Sequence, residues 1–181
     1  MMRTLLVLMA AVIGMMASEQ ADGRWYMALK GTHISGGEKE ELKGKGGFGS
    51  GIELGYEFAE HFALEGMYVQ ASNDVTATDE ATSDEEKATG DYTTYGVNAA
   101  YIQHITHHMM LVGKVGYVNE HEEIHLAHAH KADETGFDFG VGVEYEVNPS
   151  FEVLAEYEHE SIEGTRGDDF FLGAKYIFAT H

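Results

Sequence analysis

FDFGVGVEYEV, Phe137 to Val147, alternates without a break. Phe137, Phe139, Val141, Val143, Tyr145 and Val147 are apolar or aromatic, and Asp138, Gly140, Gly142, Glu144 and Glu146 fill the places between them. Successive side chains of a β-strand point to opposite faces, so this segment is predicted as a strand with one wholly apolar face and one built of glycine and carboxylates. An apolar face with aromatics near its ends suits a lipid boundary. A glycine-rich polar face suits a narrow space on the other side.

The neighbouring segments repeat the pattern. After a tight turn at Asn148, Pro149 and Ser150, where proline presets the turn, Phe151 to His159 sets Phe151, Val153, Ala155 and Tyr157 against Glu152, Leu154, Glu156 and Glu158. Phe170 to Phe178 places Phe170, Leu172, Ala174, Tyr176 and Phe178 against Phe171, Gly173, Lys175 and Ile177. Toward the N-terminus, Met109 to Tyr117 has Lys114 and Gly116 on its polar face, and Asp91 to Gln103 opposes Tyr95, Val97, Ala99 and Tyr101 to Thr94, Gly96, Asn98 and Ala100, with Ile102 falling on the polar side. Phe62 to Val69, Phe48 to Phe58 and Arg24 to Ile34 complete a set of eight strands.

The connections alternate in length. Ala59 to His61, Ile105 to His108 and Asn148 to Ser150 are tight turns. Between them fall SGGEKEELKGKGG, read as a charged loop, ASNDVTATDEATSDEEKATG (71–90), read as a long solvated loop without periodicity, the histidine-rich NEHEEIHLAHAHKADE, and the shorter SIEGTRGD. Short turns at one end and long loops at the other are the arrangement of a transmembrane barrel. The outward aromatics sort to both ends of the strands. Trp25, Tyr56, Phe58, Phe62, Tyr101, Tyr145, Phe151, Tyr176 and Phe178 lie toward the short turns, and Phe48, Tyr68, Tyr95, Tyr117, Phe137, Phe139, Tyr157 and Phe170 toward the long loops. Two girdles flanking an aliphatic band mark two membrane interfaces.

Composition agrees. With 181 residues, 22 glycines, one proline and ten tyrosines, the chain reads as one β-rich domain. It has no cysteine, so neither disulfides nor thiolate metal sites are available. A net charge of −20 argues against nucleic-acid phosphates as partner. Met1 to Arg3 followed by the apolar Thr4 to Met16 and the small Ala17 and Ser18 has the proportions of a signal peptide, residues 1–17, with a short segment 18–23 before the barrel at 24–181. An exported chain without a spanning helix enters a membrane only as a closed barrel. The predicted fold is therefore all-β: an eight-stranded antiparallel up-and-down transmembrane β-barrel.

GSGIELGYEFAEHFALEGMY, FDFGVGVEYEVNPSFEVLAEYE and FFLGAKYIF resemble the small eight-stranded outer-membrane barrels of Gram-negative bacteria, the OmpA/OmpX and opacity-protein type, over about residues 24–178. The resemblance implies a monomer in the cell outer membrane, inserted by the barrel assembly machinery and surrounded by outer-membrane lipid and lipopolysaccharide. It also implies a structural or surface-interaction role, in membrane integrity or adhesion, with host or environmental surface ligands as partners.

An eight-stranded barrel is just wide enough for side chains to fill it, so a general solute pore is not expected. Glu53, Glu57, Glu65, Asp138, Glu144, Glu146, Glu152, Glu156 and Glu158 face inward against Lys30, Lys114 and Lys175, which predicts a polar plug. This charged inward set also excludes a soluble lipocalin-like carrier, which needs an apolar lumen. No enzymatic signature, catalytic residue or cofactor is predicted. Two alternatives rest on specific residues. His121, His125, His128 and His130 among acids are candidate ligands for zinc, copper or nickel. His159 and Ser161, two apart on the outward face, have the spacing used by lipid A deacylases, a lipid A-modifying barrel enzyme class.

Overall fold

The computed structural model describes residues 23–39, 41–78, 85–125 and 130–178. The expected signal peptide lies outside them. Among the described residues ten strands form one sheet: β1 (Arg24–Ile34), β2 (Glu38–Lys39), β3 (Leu42–Gly44), β4 (Gly47–Ala59), β5 (Phe62–Thr78), β6 (Glu85–His104), β7 (Met109–Ile124), β8 (His130–Asn148), β9 (Phe151–Glu160) and β10 (Asp169–Ile177). Eight of them make the barrel. β1, β4, β5, β6, β7, β8, β9 and β10 pair antiparallel in chain order, and β10 returns to β1 with Tyr26 opposite Ile177 and Ile34 opposite Asp169. Closure leaves these strands without a free edge, the condition for backbone polar groups in lipid.

The alternation decides which residues face out. Val141, Val143, Leu111, Val115, Leu54 and Leu172 are all exposed, and Lys30, Glu53, Lys114, Glu144 and Glu156 are buried, the inverse of a soluble domain. The aromatic girdles form as ring contacts. Trp25 packs on Tyr56 at 4.8 Å, Phe62 on Tyr101 at 5.4 Å and Tyr176 on Phe178 at 5.4 Å toward the short turns; Tyr117 meets Phe137 at 5.8 Å and Phe48 meets His33 at 5.0 Å toward the long connections. From Phe137 to Tyr145, at about 3.4 Å per residue and about 40° of tilt, the strand rises about 20 Å along the normal, enough for most of a hydrocarbon core.

Two expected loops are strands. Residues 71–78 and 85–90 continue β5 and β6 as a paired ribbon, in register from Ser72 opposite Asp91 to Thr78 opposite Glu85. Likewise β7 and β8 stay paired through Ile124 opposite His130. Alternation persists there with small or polar residues in place of large apolar ones: Ala71, Asn73 and Val75 are buried while Ser72 and Asp74 are exposed. Beyond the lipid, a hairpin needs no apolar outer face, so its sequence loses the signal of a membrane strand. The first long connection is also structured, as β2 and β3 pair with each other and β3 pairs with β5, Leu42 opposite Ala77.

The short turns have local causes. Thr106 Oγ1 accepts the Met109 amide at 3.0 Å, and Asn148 Oδ1 accepts the Ser150 amide at 3.0 Å as an Asx turn. Gly36 and Gly167, with φ of 80° and 77°, bring the first and last long connections together; a Cβ on Gly167 would lie 2.3 Å from the Gly36 carbonyl oxygen.

Candidate functional site: the sealed interior and the outer sheet

The interior is stacked in layers. Nearest the short turns an apolar cap is made by Tyr26, Ala63, Ala100, Ile102, Met110, Val112 and Ile177. Ile102, on the polar side of its strand, belongs to that cap. Lys175 lies beside it, with its ammonium 4.7 Å above the Tyr26 ring, 2.5 Å from Glu144 and 2.7 Å from Glu152. In the middle, Lys30 contacts Glu53 and Glu156 at 2.5 Å each, and Lys114 contacts Glu53, Glu65 and Glu156 at 3.0, 2.9 and 2.8 Å. The Tyr26 hydroxyl donates to Glu65 at 2.5 Å. Such a network satisfies charges that would be costly singly. Glu158 is the exception: neither oxygen has a hydrogen-bond partner, and the Lys30 ammonium is 3.9 Å away. Glu57 sits at the rim, paired with Arg24 at 2.5 Å, and Glu146 is half-buried.

Glycine opens the way for one cross-strand contact. Asn98, Gly116 and Asp138 lie in one row across β6, β7 and β8. Because Gly116 has no side chain, Asn98 reaches over it and donates to Asp138 at 2.9 Å; a Cβ there would be 1.7 Å from Asn98 Oδ1.

Met67, Val69, Val118 and Phe171, with Ile162 packed on them, form a second apolar layer. Above it, the connection 161–168 folds into the barrel mouth. Arg166, 2% exposed, is 2.6 Å from Glu120, 2.8 Å from Glu160 and 2.6 Å from Asp169, and donates to Thr94 at 2.5 Å. Burial opposes its charge, but Glu160, Asp169 and Glu120 more than offset this and raise its pKa above an already high value. Thr165 donates to Glu122 at 2.5 Å, and its carbonyl accepts from Asn73 at 2.9 Å and from the Gly37 amide at 3.0 Å. Asp168 latches the connection outside: it accepts from Tyr157 at 2.8 Å and lies 2.6 Å from His159 Nδ1. Slight burial raises its pKa, but the hydrogen bonds from His159 and Tyr157 outweigh it and hold the carboxyl below its ordinary range.

Arg166, Glu120, Glu122, Glu160 and Asp169 thus join the interior set without having been expected there. Glu120, Glu122 and Glu160 simply continue the inward alternation of β7 and β9. Arg166 had no periodic signal, because it enters from a turn.

The predicted site residues separate. His121 lies 2.7 Å from Asp133, and His125 Nε2 lies 2.9 Å from Asp91, both on the outer face of the sheet. His128 and the side chain of His130 lie outside the described residues. Of the alternative pair, His159 is engaged with Asp168, and Ser161 Oγ accepts the Phe137 amide at 2.8 Å.

This architecture recurs in known proteins. The attachment invasion locus protein of Yersinia pseudotuberculosis is 22% identical over 132 residues, 72% of this chain and 71% of that protein. The crystal structure of Ail, the attachment invasion locus protein of Yersinia pestis, in complex with the heparin analogue sucrose octasulfate, superimposes with a TM-score of 0.57 at 19% identity, covering 86% of this chain and 97% of that one. The outer membrane protein OprG of Pseudomonas aeruginosa superimposes with a TM-score of 0.66 at 12% identity, covering 90% and 99%. Residues 4–178 match the family described as the outer membrane protein beta-barrel domain, and with a closed barrel, two aromatic girdles and a lipid-facing exterior, the chain belongs to that family of outer-membrane barrels.

Proposed function

We propose that this barrel is a sealed anchor that displays its outer sheet and loops for surface interaction, in adhesion or membrane integrity, and that it conducts no solutes. One observation carries the reading. The interior is filled by ion-paired side chains and closed at the mouth by residues 161–168, whereas β5, β6, β7 and β8 extend in paired register past the outer aromatic girdle. The similarity to an attachment invasion locus protein supports the direction of this reading.

The partner's chemistry differs from that of the Ail structure, whose ligand is a sulfated heparin analogue. Residues 71–90 hold Asp74, Asp79, Glu80, Asp84, Glu85 and Glu86 against Lys87 alone. Such a surface repels sulfates and attracts basic protein surfaces. The chain acts as a monomer exported by its signal peptide and inserted by the barrel assembly machinery. Ester hydrolysis is not the favoured role, since His159 and Ser161 share no hydrogen bond: Ser161 Oγ accepts from the Phe137 amide and His159 Nδ1 lies against Asp168.

Planar-bilayer recording of the purified barrel tests the sealed interior, with no discrete openings expected. Folded protein in nanodiscs is expected to pass through heparin resin unretained and to bind basic matrix peptides in a salt-sensitive way. Retention on heparin would overturn the partner class. Incubation with lipid A is expected to leave its acyl mass unchanged.

A further inference from the structure

Past the Tyr117 and Phe137 girdle, the outward faces of β6, β7 and β8 change from apolar to ligand-bearing. β7 places His121 and Glu123 two apart on its outward face, and His125 follows directly after the strand end at Ile124. Asp91 of β6 stands directly opposite Glu123, and Asp133 of β8 directly opposite His121. Like charges opposed across neighbouring strands repel. In this structure the Asp91 and Glu123 carboxylates are drawn apart, Asp91 to His125 Nε2 at 2.9 Å and Glu123 to the Lys131 ammonium at 2.7 Å. A cation between them would relieve the same repulsion directly.

We propose that Asp91, Glu123 and His125 form a binding site for a divalent cation of the zinc class, with His121 as a fourth donor. Two carboxylates and two imidazoles suit Zn²⁺, Cu²⁺ or Ni²⁺, and hard cations that prefer all-oxygen shells fit less well. Among the described residues no three such ligands yet converge on one point. In this structure Glu123 is instead held by Lys131. Binding exchanges partners: the metal takes the place of the Lys131 ammonium at Glu123 and coordinates the Nε2 of a neutral His125 ring that carries its hydrogen on Nδ1. The hydrogen bond from Lys131, reinforced by nearby His125 and His121, already holds the Glu123 carboxyl below its usual pKa. Asp91 and His125 are half exposed, so a metal reaches them from outside. The site is independent of whatever partner the sheet meets.

Calorimetric titration of the detergent-folded chain with zinc chloride in a non-coordinating buffer is the test, with heat-modifiable gel mobility confirming that each variant folds. One zinc per chain is expected. His125→Ala and Asp91→Asn should each weaken binding by about tenfold or more, and His33→Ala, an exposed histidine elsewhere, should leave it unchanged. Lys131→Ala should tighten it, an effect no merely structural role for these residues produces. Equal affinity for the wild type, His125→Ala and Asp91→Asn would overturn the site, as would weaker binding by Lys131→Ala or loss of binding only when His128 or His130 is replaced.

Discussion

Arg166 shows how much one side chain can hold. Its guanidinium is shared by Glu120, Glu160 and Asp169, all buried. Arg166→Met leaves three carboxylates without their cation, and breaking a buried network in this way costs about 3–5 kcal/mol. A fall of the urea midpoint for barrel unfolding in micelles checks this. Gly116 makes a steric counterpart. Gly116→Val drives a side chain into Asn98 and should cost about 1–3 kcal/mol. Gly113→Ala, where a Cβ meets nothing within 4 Å, should stay within about 0.5 kcal/mol of wild type. Asp168 sets a pH dependence. Its folded pKa is depressed, so its contribution is complete above the unfolded carboxyl pKa and is lost as pH falls through the folded value. The 161–168 latch should therefore hold at about pH 5 and release only below about pH 4. Amide exchange across 161–168 should show this transition in the wild type and lack it in Asp168→Asn.

Among the elements, β8 crosses two solvents. Phe137 to Val147 faces lipid, whereas His130 to Gly136 belongs to the outer sheet. The same substitution should then have different costs along one strand. Val141→Arg, in the middle of the apolar band, should destabilise by about 2–4 kcal/mol, and Thr135→Arg, exposed beyond the girdle, by about 0–1 kcal/mol. Equilibrium unfolding from lipid vesicles distinguishes the two. The lipid-facing half of β8 was legible as a strand because large apolar residues alternate with glycine and acids. The outer half was not, since Asp133 and Thr135 outside against Ala132 and Glu134 carry no contrast of hydropathy. For β5 and β6 the same loss of contrast hid the ribbon of 71–78 with 85–90.

For the whole molecule, closure and sealing are separate matters. The β1 to β10 pairing closes the wall, and ion pairs among β1, β4, β5, β7, β8, β9 and β10 fill it. The sequence by itself determined the eight barrel strands, the lipid-facing residues, both girdles, the three interior lysines and most of the interior acids, but not Glu120, Glu122, Glu160 and Asp169. Those properties follow from a period of two, which is local along the chain. Only the tertiary structure decided that 161–168 turns inward with Arg166, that Asn98 meets Asp138 over Gly116, and that Asp91 faces Glu123. These contacts depend on register between strands and on the path of a turn, and neither is written in the alternation of a single segment.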